Sequence, residues 1–153
     1  MADEHPAEQY VNDVLAGRIV ACKLVRQACQ RHVDDLARGY KRGICFDPDE
    51  GDRAIQFFRH LKHSKGKWAG EEFVLEGWQQ FILWSLFGWM RDDTGKRRFR
   101  EGYIEVARKN GKSTMLAGIG LFGLLADRES GAEIYTLGTK LDQARIIHAQ
   151  AVR

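Results

Sequence analysis

The sequence has too few cysteines for a stapled scaffold, no signal-peptide pattern in its opening residues, no apolar run of membrane length and almost no net charge, and each lack argues against a class of function. Cys22, Cys29 and Cys45 are odd in number and include no C-x-x-C pair, the pattern of reduced thiols rather than of disulfides. A cytoplasmic setting fits them. The opening MADEHPAEQY holds neither the basic nor the apolar region of a signal peptide, so secretion is not expected. Ser113 to Ala126, the longest charge-free run towards the C-terminal half, is 14 residues long. A spanning helix needs about 20, so no membrane segment is expected. Internal repeats and low-complexity tracts are also missing. The 24 basic against 21 acidic residues leave only +3, too small a surplus to announce nucleic acid by itself.

What remains is a chain of 153 residues, 44% apolar, enough for one ordinary domain with a sizeable core. Its charge is unevenly spread. Residues 91–112 carry eight basic and four acidic side chains, so the basic excess sits in one segment.

Apolar spacing divides the chain into helical and extended parts. Tyr10, Val11, Val14 and Leu15 predict a first helix over 7–16, with Gly17 at its left-handed end. Ala21, Leu24, Val25, Ala28, His32, Leu36 and Tyr40 predict a longer amphipathic helix with those residues inward. Asp47, Pro48 and Glu50 form a cap, a first-turn proline and a capping-box spacing for a third helix ending near His63. The glycine-rich SKGKWAGEE that follows reads as a surface loop. Trp78 to Phe87 predicts a buried helix that Gly88 ends. WMRDDTGKRRFREGYIEV predicts a β-hairpin turning near Thr94 and Gly95, with Tyr103, Ile104 and Val106 in its second run. A buried helix from Ser113, a turn at 127–131, a strand at 133–137 and a helix over 141–152 complete a βαβα series, the opening of a parallel sheet. The expected fold is α/β, a helical region at 1–66 followed by an incomplete P-loop sheet at 67–153.

The chemistry gathers in YIEVARKNGKST, residues 103–114, where Gly111-Lys112-Ser113 lies between an expected strand and an expected helix. A phosphate loop belongs there. Loop amides and the helix N-terminus would face the β-phosphate, Lys112 would neutralise β/γ oxygens, and the Ser113 hydroxyl would hold Mg²⁺. The strict G-x-x-x-x-G-K-[ST] pattern requires a glycine at position 106, which is valine. On residues alone the triplet fits either a phosphate loop or a basic turn, and the strand–helix–strand context favours the loop. GKRRFR at 95–100 fits a DNA-backbone contact or, better, a solvated hairpin tip. Cys29-x-x-His32 and His60-x-x-His63 have metal-like spacings without a closed four-ligand set, so packing is the better reading.

Four blocks make the chain resemble the large terminase subunits of tailed double-stranded DNA phages. They are HPAEQYVNDVLAGRIVACK, FRHLKHSKGKWAGEEFVLEGWQQFILWSLFGW, REGYIEVARKNGKSTMLAGI and AEIYTLGTKLDQAR. These proteins are ATP-driven motors that package and cut DNA, and their phosphate loops commonly lack the early glycine, so Val106 is no obstacle. The resemblance implies an ATP site with Mg²⁺, built from Arg108, Lys109, Asn110, Gly111, Lys112, Ser113 and Thr114. Lys112 and Arg108 would be catalytic, Arg108 as an arginine finger supplied in cis. It also implies an adenine contact at Gln79 in LEGWQQ, since a glutamine amide offers the donor and acceptor that adenine N6 and N7 need. Capping or a core-edge position is the other reading of Gln79. Trp78 is expected to pack rather than stack on a base.

By the same resemblance the partners are double-stranded DNA, the terminase small subunit and the portal, in a ring oligomer in the host cytoplasm. The family's Walker B acids and nuclease carboxylates have no counterpart here. After Gly131 the acidic residues are Glu133 and Asp142, and neither ends a second hydrophobic strand. The expectation is an N-terminal, ATP-binding portion of the motor, without turnover or DNA cleavage by itself. The alternative is a prophage remnant acting only as a non-catalytic nucleotide- or nucleic-acid-binding module. A small-molecule P-loop kinase fits less well, given the helical preamble and GWQQ.

Overall fold

Helices form most of this chain and strands little of it, because its apolar residues recur mainly at helical spacing. The computed structural model describes residues 4–62 and 70–152. The chain divides into two compact units, Met1–Ile55 with Leu75–Gly102, and Gln56–Val74 with Tyr103–Arg153.

In the first unit, α1 (Pro6–Leu15) lies within one residue of the expected helix, and its start is fixed by proline in the first turn and by His5 Nδ1, which accepts the Ala7 N–H at 3.2 Å. Ala7, Val11 and Val14 are buried, and Gly17 takes φ 75° just past the end. The next helix, α2 (Lys23–Arg38), is rotated from the expected face. It buries Cys29, His32 and Asp35, while Leu24, Leu36 and Tyr40 stay exposed. A carboxylate can lie inside here because Arg42 and Arg98 both pair with Asp35, one on each oxygen. Apolar spacing counts Asp35 as polar and therefore turns the helix the wrong way.

A 3-10 turn at 39–42 leads into β1 (Ile44–Phe46), a strand the hydrophobic pattern did not mark. It pairs antiparallel with β2 (Trp89–Arg91), with Cys45 opposite Met90. The hairpin after β2 is short: Arg91 N–H donates to the Lys96 carbonyl, Met90 bridges Arg97, and Gly95 turns with φ 62°. Its turn falls where expected, but its second arm stops before Tyr103. Between the strands come α3 (Pro48–Phe58) and α4 (Gly77–Gly88). Asp47 caps α3 through Oδ1, accepting from the Asp49 and Glu50 amides at 3.0 and 3.2 Å. Gly88 ends α4 against Phe46, where an added Cβ would lie 2.6 Å from the ring.

The second unit begins inside α3, which stops at Phe58 rather than near His63. Arg59, His60 and Leu61 donate in turn to Gln56, Phe57 and Phe58, a tightened last turn. His63 and residues 64–69 of the expected loop lie outside the described residues. Phe73 N–H then donates to the Leu61 carbonyl at 2.9 Å. Phe57, Phe58 and Leu61 face α5 (Lys112–Leu125), where Gly118 receives Phe58 and Phe122 meets Phe57 edge-on at 5.6 Å, and Phe73 packs on Phe58 with ring centroids 6.0 Å apart. The last helix is α6 (Leu141–Ala151).

The expected strands, one holding Tyr103, Ile104 and Val106 and the other at 133–137, lie in segments 101–107 and 132–138 that have no regular secondary structure and pair with no strand among the described residues. Tyr103, Tyr135 and Leu137 are exposed, so neither segment has the covered faces that stabilise a parallel strand. The architecture is thus mixed helix and strand, with one small antiparallel pair. No helix among the described residues is long and apolar enough to cross a membrane.

Candidate functional site

The loop before α5 owes its shape to two backbone positions. Lys109 has φ 70° and Gly111 has φ 72°, with Asn110 between them outside the left-handed region. Such alternation of handedness gathers consecutive N–H groups into an anion-binding concavity. Glycine adopts this geometry without strain, whereas at Lys109 a side chain is forced into it. The loop is also tied to itself: Asn110 Nδ2 donates to the Ala107 carbonyl at 3.3 Å and Lys112 Nζ to the Val106 carbonyl at 3.5 Å.

Gly111 is the N-cap of α5, and no side chain caps that end. The first intrahelical bond there runs from Met115 N–H to the Gly111 carbonyl, so the amides of Lys112, Ser113 and Thr114 precede the hydrogen-bonded ladder. Lys112, Ser113 and Thr114 are half-buried at the helix start, and Arg108, Lys109 and Asn110 are exposed. An uncapped helix N-terminus, a concave loop and a lysine whose ammonium rests on a loop carbonyl form a set of donors suited to a polyanion. The left-handed Lys109 was not foreseen. The only hint in the sequence is Asn110-Gly111, a pair that favours turns.

Gln79 belongs to the other unit and is buried at the start of α4. Its Oε1 accepts the Glu76 N–H at 2.9 Å while the Glu76 side chain takes the Gln79 N–H, a reciprocal capping box. One acceptor position of the amide is therefore already taken. Gln80 Nε2 donates to the Leu75 carbonyl at 2.9 Å, closing the same turn, and Trp78 is half-buried.

Two other sequence candidates acquire structural roles. Arg98 of GKRRFR pairs with buried Asp35 and lies over the Trp89 and Phe99 rings, and Arg97 lies over Phe87. The segment is therefore not a free basic tip. His32 stands among Phe46, Phe81, Trp84 and Trp89, with ring centroids 5.1 to 5.7 Å away, and its Nδ1 accepts the Trp89 Nε1–H at 3.1 Å. Burial, then the charge of Arg31, pull its pKa down to about 4. Burial pushes the Cys29 thiol up to about 11. This pair packs a core, with the thiol far from thiolate.

A family model for the terminase large subunit, ATPase domain, matches residues 77–153, half of the chain. The chain belongs to this family. No curated protein and no solved structure matches it. The terminase match takes in α4 with Gln79, the loop at 107–111 and the whole of α5 and α6. That stretch is ATPase sequence of a terminase large subunit, and nucleotide is what such a domain uses.

Proposed function

We propose that this terminase chain is an ATP-binding portion of a DNA-packaging motor, with residues 108–114 holding the triphosphate. The observation that carries the proposal is the uncapped start of α5 behind a loop left-handed at both Lys109 and Gly111. Backbone amides from 109–114 bind β-phosphate oxygens, and Lys112 exchanges the Val106 carbonyl for β/γ oxygens when nucleotide enters. Ser113, in the first turn of α5, is the residue to hold Mg²⁺ through its hydroxyl. That ion would neutralise charge on the phosphate oxygens. Arg108, exposed on the same loop, serves as the fork that stabilises charge developing during phosphoryl transfer. Gln79 reads the adenine edge with its Nε2 and its remaining acceptor position.

In this reading residues 67–153 are the first part of the P-loop domain and 1–66 its helical preamble. The extended segments at 101–107 and 132–138 are its strands. Side-chain bonds between Tyr103 and Glu105 and between Tyr135 and Glu133 support this, because residues two apart share a face only in extended chain. The motor acts on double-stranded DNA in the host cytoplasm, as a ring with small subunit and portal as partners. The test is Lys112→Ala. Calorimetry should show Mg-ATP affinity reduced at least tenfold with the urea midpoint nearly unchanged; unaltered affinity would remove the phosphate-loop assignment.

A further inference from the structure

A second cluster of cations lies on α2, in the first unit. Gln27, Arg31, Asp34 and Arg38 follow one another at steps of four, three and four, so they form one stripe. With Asp35 and Arg42 they line an open cavity of about 420 Å³. Its two carboxylates are already engaged. Asp35 holds Arg42 on one oxygen and Arg98 on the other, and Asp34 Oδ1 accepts the Gln30 amide at 3.1 Å.

Arg31 and Arg38 are different. Neither has a carboxylate partner among the described residues; Arg31 only lies over the Phe99 ring, 4.9 Å from its centroid. Three guanidiniums, Arg31, Arg38 and Arg42, line the cavity with two carboxylates, which leaves a local excess of one positive charge, and Arg98 adds a further cation on the far oxygen of Asp35. Burial, and then the like charge of Arg98, hold the Arg31 guanidinium below its ordinary pKa, a repulsion that a bound anion would relieve. Arg31 and Arg38 are about 10 Å apart along the helix axis, and both carry planar forks suited to tetrahedral oxyanions.

We propose that this cleft is a phosphate-binding site, in which Arg31 and Arg38 grip the oxygens and Gln27 supplies an amide donor. The ligand is a phosphate group, carried either by a small free molecule or by a polynucleotide backbone. Nothing in the proposal depends on the loop at 108–114.

The experiment uses the full chain carrying Lys112→Ala, which silences the loop, with and without Arg31→Gln and Arg38→Gln. Inorganic phosphate is titrated by calorimetry and ³¹P NMR, and a short blunt DNA duplex is titrated at several salt concentrations. Saturable phosphate binding that weakens at least tenfold in the double variant supports a free phosphate ligand. A duplex whose salt slope flattens by about two in the double variant supports a polynucleotide backbone. If neither probe distinguishes the double variant from its parent, the site does not exist. Arg31 and Arg38 hold no carboxylate, so the variant should fold, as near-ultraviolet circular dichroism will verify. Should the double variant not fold, Arg38→Gln alone, at an exposed position, should weaken phosphate binding or flatten the duplex salt slope by about one, and no change in either would overturn the site.

Discussion

A histidine enclosed by four aromatic rings gives up its affinity for protons, and the stability of the chain inherits that loss. His32 takes its proton near pH 4 when folded and near its ordinary value of about 6.5 when unfolded. Between those values the unfolded chain binds more protons, so stability is complete above about pH 6.5 and falls as pH drops towards about 4. Protonation also removes the acceptor for the Trp89 indole. Urea denaturation should show a loss of about 2 kcal/mol between about pH 7 and about pH 5, and His32→Phe should abolish most of that slope whatever its baseline stability. The same slope in both proteins would place the titration elsewhere. Arg108 makes a different kind of residue-level prediction. Exposed and without a hydrogen bond or ion pair among the described residues, it costs nothing structural to remove. In the assembled motor Arg108→Ala should bind ATP normally and turn it over about 10³-fold more slowly. A variant defective only in binding would leave Arg108 as a residue that merely orders the loop.

Among the elements, α5 is set by what glycine leaves out. A Cβ at Gly118 would lie 2.4 Å from Phe58, whose ring is fully buried, and 2.9 Å from Leu61. Gly118→Ala should therefore destabilise the chain by about 1–3 kcal/mol, despite a helix-propensity gain of roughly 1 kcal/mol. Gly120→Ala, where the added Cβ would sit 3.3 Å from Ile134, should cost much less. Equal urea midpoints for the two variants would mean that Phe58 can move aside. Elements with strong local signals were legible in the sequence: α1 by its apolar spacing and terminal glycine, the start of α3 by Asp47, α4 by its apolar run, the hairpin turn by Gly95. Others depended on partners far along the chain. The face of α2 is decided by Arg98, 63 residues from the Asp35 it neutralises, and β1 exists because β2 lies beside it. No window of neighbouring residues contains that information. At the candidate site, spacing located Gly111, Lys112 and Ser113, whereas the backbone of Lys109 and the capping bond of Gln79 are three-dimensional facts.

For the molecule as a whole, the two compact units allow each part of the proposed nucleotide contact to be read separately. Mg-ATP at about 100 times its Kd should stabilise whatever binds it by roughly 2.7 kcal/mol, visible as slowed amide exchange. The loop at 107–114 and the first turn of α5 should respond to both ATP and inorganic tripolyphosphate. The first turn of α4 should respond to ATP alone if Gln79 reads adenine. Should α4 ignore ATP while the loop responds, the Gln79 amide is a cap and nothing more.

The extended segment at 132–138 also bears on how the purified protein behaves in a tube. Ala132 to Gly138 contains no proline and no lysine, its Tyr135 and Leu137 side chains face solvent, and its backbone makes no backbone hydrogen bond among the described residues. A stretch of that kind is a template for a like stretch on another molecule, since two such strands satisfy each other's amides and carbonyls. With a net charge of only +3, electrostatic repulsion does little to keep copies apart. Concentrated stocks will therefore cloud with time, through pairing of these edges rather than through unfolding of either core.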